Sequence, residues 1–407
     1  MAEMNILMVG GRRSGKTSAL ATIFRTMQDI QLAKYFTVVD RTSLVTKNQD
    51  GKTEMQDDLK SKSMEMTRFA EKTKLNTPIL VDAGPTLFDW QYRLKLSVPG
   101  APKKDLNMTF TDVPGEWCRT TDNHYNTFLQ YAKEADVFVI AIDTPYLMGP
   151  TSDTTKQLCG DQESELATLA GCMSDLKQTF TAIQDQNNKL VLFVPIKCEK
   201  WVNAGHIEDV IARIRQAFNV LLADLLSDAG RKIFTVGILP VQTIGTMEFA
   251  EFHDPKYLNS VENSKRCCVI DDTSVRMADG TVKPLRDNDN LIDDPNWAFP
   301  APNNAFLRPS SWYKCVKNKY APVNCEQLAL HTLRFMIYNT KDLRKKALSS
   351  TGSLGKKIKI LIEMIREKFG GMGEDVLKTT LDRMKADGLF RDEVDGITYL
   401  SNPLNIK

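Results

Sequence analysis

The chain has 407 residues, of which 42% are apolar and 26% charged, the ordinary balance of a soluble globular protein with a substantial core. A net charge of only +2 supplies no global field to attract nucleic acid or an anionic membrane. No apolar run approaches the roughly 18 residues of a membrane helix. Met1-Ala2-Glu3 offers neither a basic leader nor a glycine to myristoylate, and the eight cysteines read as reduced thiols. The expected location is therefore cytoplasmic, with no membrane attachment.

In chain order, Ile6-Leu7-Met8-Val9 reads as a buried strand. Gly10-Gly11-Arg12-Arg13-Ser14-Gly15-Lys16-Thr17 follows at once and spells G-x-x-x-x-G-K-T, and Leu20, Ile23, Phe24 and Met27 then repeat at helical spacing. Strand, glycine-rich loop and helix form the context a phosphate-binding loop needs. Its backbone N–H groups face a polyphosphate, and the helix N-terminus favours the same anion. Residues 10–18, including Ser18, are the candidate phosphate-binding set. Lys16 is placed on the β- and γ-phosphates as a catalytic group, and Thr17 on Mg²⁺.

A polar stretch over 40–84 holds one expected helix near Asp57–Lys74. Phe88, Trp90, Tyr92, Leu94, Leu96 and Val98 then alternate with polar residues, as do Leu106, Met108 and Phe110 after a Pro-Gly turn. This predicts an antiparallel hairpin. It ends in Asp112-Val113-Pro114-Gly115, a D-x-x-G in which Asp112 is a candidate Mg²⁺ ligand and Gly115 offers its N–H to a γ-phosphate.

Val137–Ile142 and Leu190–Ile196 are continuous apolar runs suited to parallel strands buried on both faces. Helical periodicity covers Leu166–Ile183 and Ile207–Leu225, and a further strand covers Ile233–Val241. Strand and helix alternate, so the fold class is α/β, a mostly parallel P-loop nucleotide-binding sheet. Residues 249–322 break this rhythm and predict an irregular insertion with one hairpin at Ala278-Asp279-Gly280-Thr281. The spacing of Cys267, Cys268, Cys315 and Cys325 fits no zinc pattern. Asn324 with Gln327 suggests a capped helix start. The expected organisation is a nucleotide-binding domain over 1–345, a linker over 346–354, and a small winged-helix-like module over 355–407. Residues 341–407 hold 14 Lys and Arg against 10 Asp and Glu, which points away from nucleic acid.

The phosphate loop, the hairpin and D-x-x-G together resemble the Ras-like and translation-factor-like P-loop GTPases over roughly residues 4–338. Arg13-Ser14-Gly15-Lys16-Thr17 and Pro114-Gly115-Glu116-Trp117 are also similar to bacterial YcjX-like proteins. The resemblance implies GTP and GDP as ligands, Mg²⁺ as cofactor and a regulatory switch. It implies that Lys197 and Glu199, in Ile196-Lys197-Cys198-Glu199, stand where N/T-K-x-D reads guanine. Ile196 lacks the usual brace, so ATP or degenerate binding stays open. Glu116 stands where such proteins carry a water-positioning Gln and is the catalytic candidate there. Thr86 is the first choice for the switch threonine and Thr77 the second. Arg41, Arg68 and Arg93 are candidate internal arginine fingers, and Gln242 and Thr243 candidate base contacts. Three roles remain: a hydrolysing GTPase switch, a nucleotide-binding scaffold with little hydrolysis, or a nucleic-acid regulator acting through the C-terminal tail; an ATP-binding regulator in a multi-protein or defence system also stays open. A protein partner is expected through the insertion or the C-terminal segment.

Overall fold

The computed structural model describes residues 2–11, 14–28, 33–42, 45–47, 53–55, 58–81, 89–98, 105–149, 176–183, 188–253, 256–260, 263–271, 273–285, 290–293, 310–349, 374–390, 397–402 and 404. Its centre is an eight-stranded sheet built from β1 (Ala2–Gly10), β2 (Thr37–Asp40), β6 (Trp90–Ser97), β7 (Asp105–Asp112), β8 (Val137–Asp143), β9 (Lys189–Ile196), β10 (Phe234–Ile238) and β18 (Thr398–Ser401). The strand order is β18-β10-β9-β8-β1-β7-β6-β2. The five central strands β10, β9, β8, β1 and β7 are parallel, and β6, β2 and β18 run antiparallel to their neighbours.

Alternation in β1 shows why the sheet is covered twice. Met4, Ile6 and Met8 enter one core, while Leu7 and Val9 enter the other. Every residue of β8 and β9 is buried, as continuous apolar runs require. Buried Lys189 is the exception in type. Its ammonium donates to Lys133 O at 3.0 Å and to Ala135 O, at the C-terminal end of helix α3 (Tyr125–Glu134). There the dipole favours a cation. The predicted hairpin is present, with Trp90 opposite Asp112 and Ser97 opposite Asp105.

Helix α1 (Lys16–Met27) follows the glycine-rich loop, and α2 (Leu59–Lys72) is capped by the Asp58 side chain, which accepts from Lys60 N and Ser61 N. The expected single helix over 207–225 is two, Ile207–Ala217 and Asn219–Leu225, broken at Phe218. Of the helix expected over 166–183, residues 176–182 are helical and 166–175 lie outside the described residues; of the linker expected over 346–354, residues 346–349 end the helix Cys325–Ser349 and 350–354 lie outside the described residues.

Two expectations are corrected. Residues 249–322 are not irregular throughout. β11 (Met247–His253) and β17 (Ser310–Cys315) pair antiparallel, and β5 (Pro78–Leu80) joins the other edge of β17. A second sheet of order β15-β14-β13-β12-β16 holds β12 (Lys256–Ser260), β13 (Asn263–Asp271), β14 (Ser274–Met277), β15 (Val282–Pro284) and β16 (Asn290–Asp293). The predicted hairpin is the β14–β15 turn, with Gly280 at φ 83°. Short strands separated by Asp, Asn and Pro carry too little periodicity to stand out.

The segment set apart over 355–407 shares the main core. β18 pairs with β10, Ile397 lies against Gly237, and Leu381 and Met384 of the helix Glu374–Ala386 are buried. Gln327, near the start of the long helix Cys325–Ser349, donates to Leu389 O at 2.7 Å.

Candidate nucleotide site

The loop after β1 meets the C-terminal ends of the parallel strands, where open α/β sheets place their ligands. Gly15 caps α1 at φ 100°, a conformation that glycine reaches without strain. The first turn of α1 carries no acidic side chain. A Cβ on Gly15 would stand 3.3 Å from Ile196 Cδ1 and 3.7 Å from Lys197 Cε. Ile196 therefore contributes packing beneath the loop, and the Lys197 stem lies across it.

Lys16 is 3% exposed, and its Nζ donates to Gly10 O at 3.2 Å and Gly11 O at 3.4 Å. Asp112 is fully buried at the end of β7. Its Oδ2 accepts from Thr17 Oγ1 at 2.8 Å, and its Oδ1 stands 3.9 Å from Lys16 Nζ. Burial pushes the Asp112 carboxyl above its ordinary pKa, against the opposing pull of Lys16 and Thr17. Among the described residues, no donor hydrogen-bonds to Asp112 Oδ1, and none reaches the buried Ser14 hydroxyl. Such polar atoms are costly to bury without a partner. A phosphate and a hard divalent cation are partners of the right chemistry.

Gly115 begins a 3₁₀ turn, Gly115–Cys118, with Glu116 half-exposed and Trp117 buried. The Trp117 ring stacks on His124 at 4.5 Å. Arg41, Arg68 and Arg93 are exposed. Arg12, Arg13 and Thr86 lie outside the described residues. Thr77 is half-buried against the β14–β15 turn, where a Cβ on Gly280 would approach its Cγ2 to 2.6 Å.

Beyond the loop lies a cavity of about 340 Å³, lined among others by Gly15, Ser18, Lys197, Glu199 and Thr243. Lys197 adopts φ 59° and places Nζ 2.7 Å from Asp143 Oδ2. Left-handed backbone at a non-glycine residue costs on the order of 1–3 kcal/mol and persists where its surroundings hold it. Glu199 is 2% exposed; its Oε1 accepts from Ile244 N at 3.4 Å and Gly245 N at 3.3 Å, while Oε2 is buried with no partner among the described residues. Burial raises its pKa to about 7, against the opposing effect of those amides and of Lys197. Gln242 is buried and bonded through its backbone to Val323.

Asp143, Tyr146 and Tyr313 also line this cavity, and sequence reasoning did not single them out. Asp143 ends the apolar run of β8, and an Asp at the C-terminal end of a buried parallel strand was the available signal. Tyr313 comes from β17 in the insertion, and no local pattern announces it.

The Double-GTPase 2 domain family matches residues 5–226. No curated protein matches the chain. Among solved structures, the signal recognition particle receptor SRb-GTP/SRX complex from Chaetomium thermophilum is 14% identical, covering 60% of this chain and 93% of that one, with a TM-score of 0.28. A bacterial selenocysteine-specific elongation factor is 8% identical over 77% of this chain and 42% of that one, TM-score 0.28. The GTP-bound Ski7 GTPase-like domain of S. cerevisiae is 11% identical over 77% and 75%, TM-score 0.26. Likenesses this distant carry no argument about what the chain does.

Proposed function

The chain belongs to the Double-GTPase 2 family, and we propose that it binds GTP with Mg²⁺ and hydrolyses it slowly or with a partner's help, as a regulatory switch. The observation that carries this reading is the convergence of Lys16, Thr17 and buried Asp112 at one end of a glycine-rich loop, with Lys197 and Glu199 across the same loop. The residues fit the groups assigned to them. Loop amides and Lys16 hold phosphate charge, Thr17 and Asp112 hold the cation, and the Lys197 stem covers the base side. Bound Mg²⁺ would neutralise charge developing on the phosphates. Buried Glu199 offers an unpaired oxygen to the N–H donors of guanine, which adenine lacks in that arrangement. Glu116 orients water, although its negative charge opposes the γ-phosphate.

The scaffold reading is favoured by that same carboxylate and by Ile196, which packs under Gly15 and donates no hydrogen bond from its side chain. Calorimetry with Mg·GTP, GDP and ATP, followed by single-turnover hydrolysis, separates the readings. Tight GTP binding with measurable turnover supports the switch, and tight binding without turnover supports the scaffold. Failure to bind any nucleotide removes both. A protein partner reached through the insertion or the C-terminal segment, and a cytoplasmic location, complete the proposal.

A further inference from the structure

The cavity beside the phosphate loop has walls from three distant parts of the chain. Ile196, Lys197 and Glu199 come from the end of β9, Met66, Phe69, Leu80 and Val81 from α2 and β5, and Ser311 and Tyr313 from β17. Tyr313 is 4% exposed, and its ring lies 6.0 Å from Lys197 Nζ. An aromatic run fixes it there. Tyr313 meets Phe249 at 6.1 Å, and Phe249 stacks on Trp201, two residues beyond Glu199. Phe249 also touches Phe252, which packs on Tyr146. On its other side, Tyr313 pairs with Ile79 of β5, and Asn76 N donates to Cys315 O at 2.9 Å. The base-side loop, the insertion and the segment before residue 82 are thus one packed unit.

We infer that the insertion is part of the nucleotide site, and that Tyr313 is a residue of that site which retains the base end of the nucleotide. This rests on the guanine-nucleotide reading above. The ring closes an otherwise mostly apolar compartment next to the Lys197 stem. An aromatic face there takes up a purine with little loss of side-chain freedom. A nucleotide held by walls from three parts of the chain leaves slowly, because the aromatic wall must move or the base must slide past it.

The test is the dissociation rate of fluorescent GDP from the full chain, alongside the affinity for inorganic pyrophosphate, which has no base. Tyr313→Ala removes the wall, Tyr313→Leu keeps apolar bulk without the ring, and Tyr313→Phe restores the ring. The expected result is release about tenfold faster for the Ala and Leu variants, the order of effect of losing one base–aromatic contact. Pyrophosphate affinity should be unchanged and Tyr313→Phe should release slowly. Unchanged GDP release in the Leu variant overturns the inference while leaving nucleotide binding standing. Equal weakening of GDP and pyrophosphate overturns it too, since that marks a general structural role. Wild-type protein that binds pyrophosphate and not GDP removes the guanine reading and this inference together.

Discussion

Thr17 donates its hydroxyl to Asp112 at 2.8 Å, joining the first turn of α1 to the end of β7 across 95 positions of sequence. The parallel pairing of β1 with β7 makes this possible, because it sets Met8 beside Asp112 and brings the loop after β1 over the carboxylate. In the proposed Mg²⁺ site this pair would supply two neighbouring oxygen ligands.

Lys16→Ala should weaken Mg·GTP binding by about 3 kcal/mol, roughly 100-fold, the scale of losing charge-assisted bonds to a phosphate. Its ammonium also faces buried Asp112 at 3.9 Å, so the melting temperature should fall too, and binding is compared at a temperature where both proteins are folded. Calorimetry and a thermal melt on both proteins check this; unchanged affinity would remove the assignment.

Asp112→Ala should weaken binding in Mg²⁺ much more than binding in EDTA, because the loop amides hold phosphate without it. Titrations under both conditions decide the matter. Equal losses would make Asp112 a structural residue.

Glu199 gives a pH signature in the nucleotide-free protein. Its folded pKa of about 7 stands above the ordinary value of 4.5. Folding is therefore unpenalised below about pH 4.5, and stability is lost as pH rises through 7, amounting to about 3 kcal/mol when the carboxylate is fully charged. Glu199→Gln, which keeps an acceptor for Gly245 N, should be the more stable protein at pH 8 and match wild type near pH 4.5. Urea denaturation across that range measures it, and a pH-independent difference would contradict the buried-carboxylate account.

Glu199→Ala should also lower the preference for GDP over ADP in competition against a fluorescent nucleotide. A ratio that does not move would make Glu199 a structural brace for residues 244–245.

Ile397→Ala should cost about 3 kcal/mol of stability, the usual range for emptying a buried aliphatic site. Ile397 is 1% exposed and lies against Gly237. A denaturant midpoint unchanged from wild type would mean that residues 397–401 do not contribute to the core.

The parts of this molecule with local signals were legible in sequence. The phosphate loop by its glycine spacing, the hairpin strands by alternation and β8 and β9 by unbroken apolar runs each announce themselves within about ten residues. Lys197 and Glu199 were singled out through a short motif, and the burial of Glu199 beside half-buried Lys197 follows from their place beyond β9. What stayed hidden depends on contacts between residues far apart in sequence, 54 positions for Asp143 and Lys197. Asp143 acquires its meaning only when Lys197 reaches it, and Tyr313 only when β17 pairs with β5. Within 249–322 the β14–β15 hairpin is announced by its turn, whereas β11 pairs with β17 and β12 with β16 across separations that no turn fixes. Nor does anything in residues 397–401 reveal that their pairing partner is β10.

That last pairing has a consequence for how the protein is made. β10 ends at Ile238 and its edge partner β18 ends at Ser401, so 163 residues must be synthesised between them. At ordinary elongation rates this takes on the order of ten to thirty seconds. Throughout that interval a nascent chain with β9 and β10 already docked presents β10 as an uncovered strand edge, open to pairing with a neighbouring chain. Translation speed between codons 239 and 401, and chaperone cover of that edge, should govern the yield of folded protein more strongly than the stability of the finished sheet does.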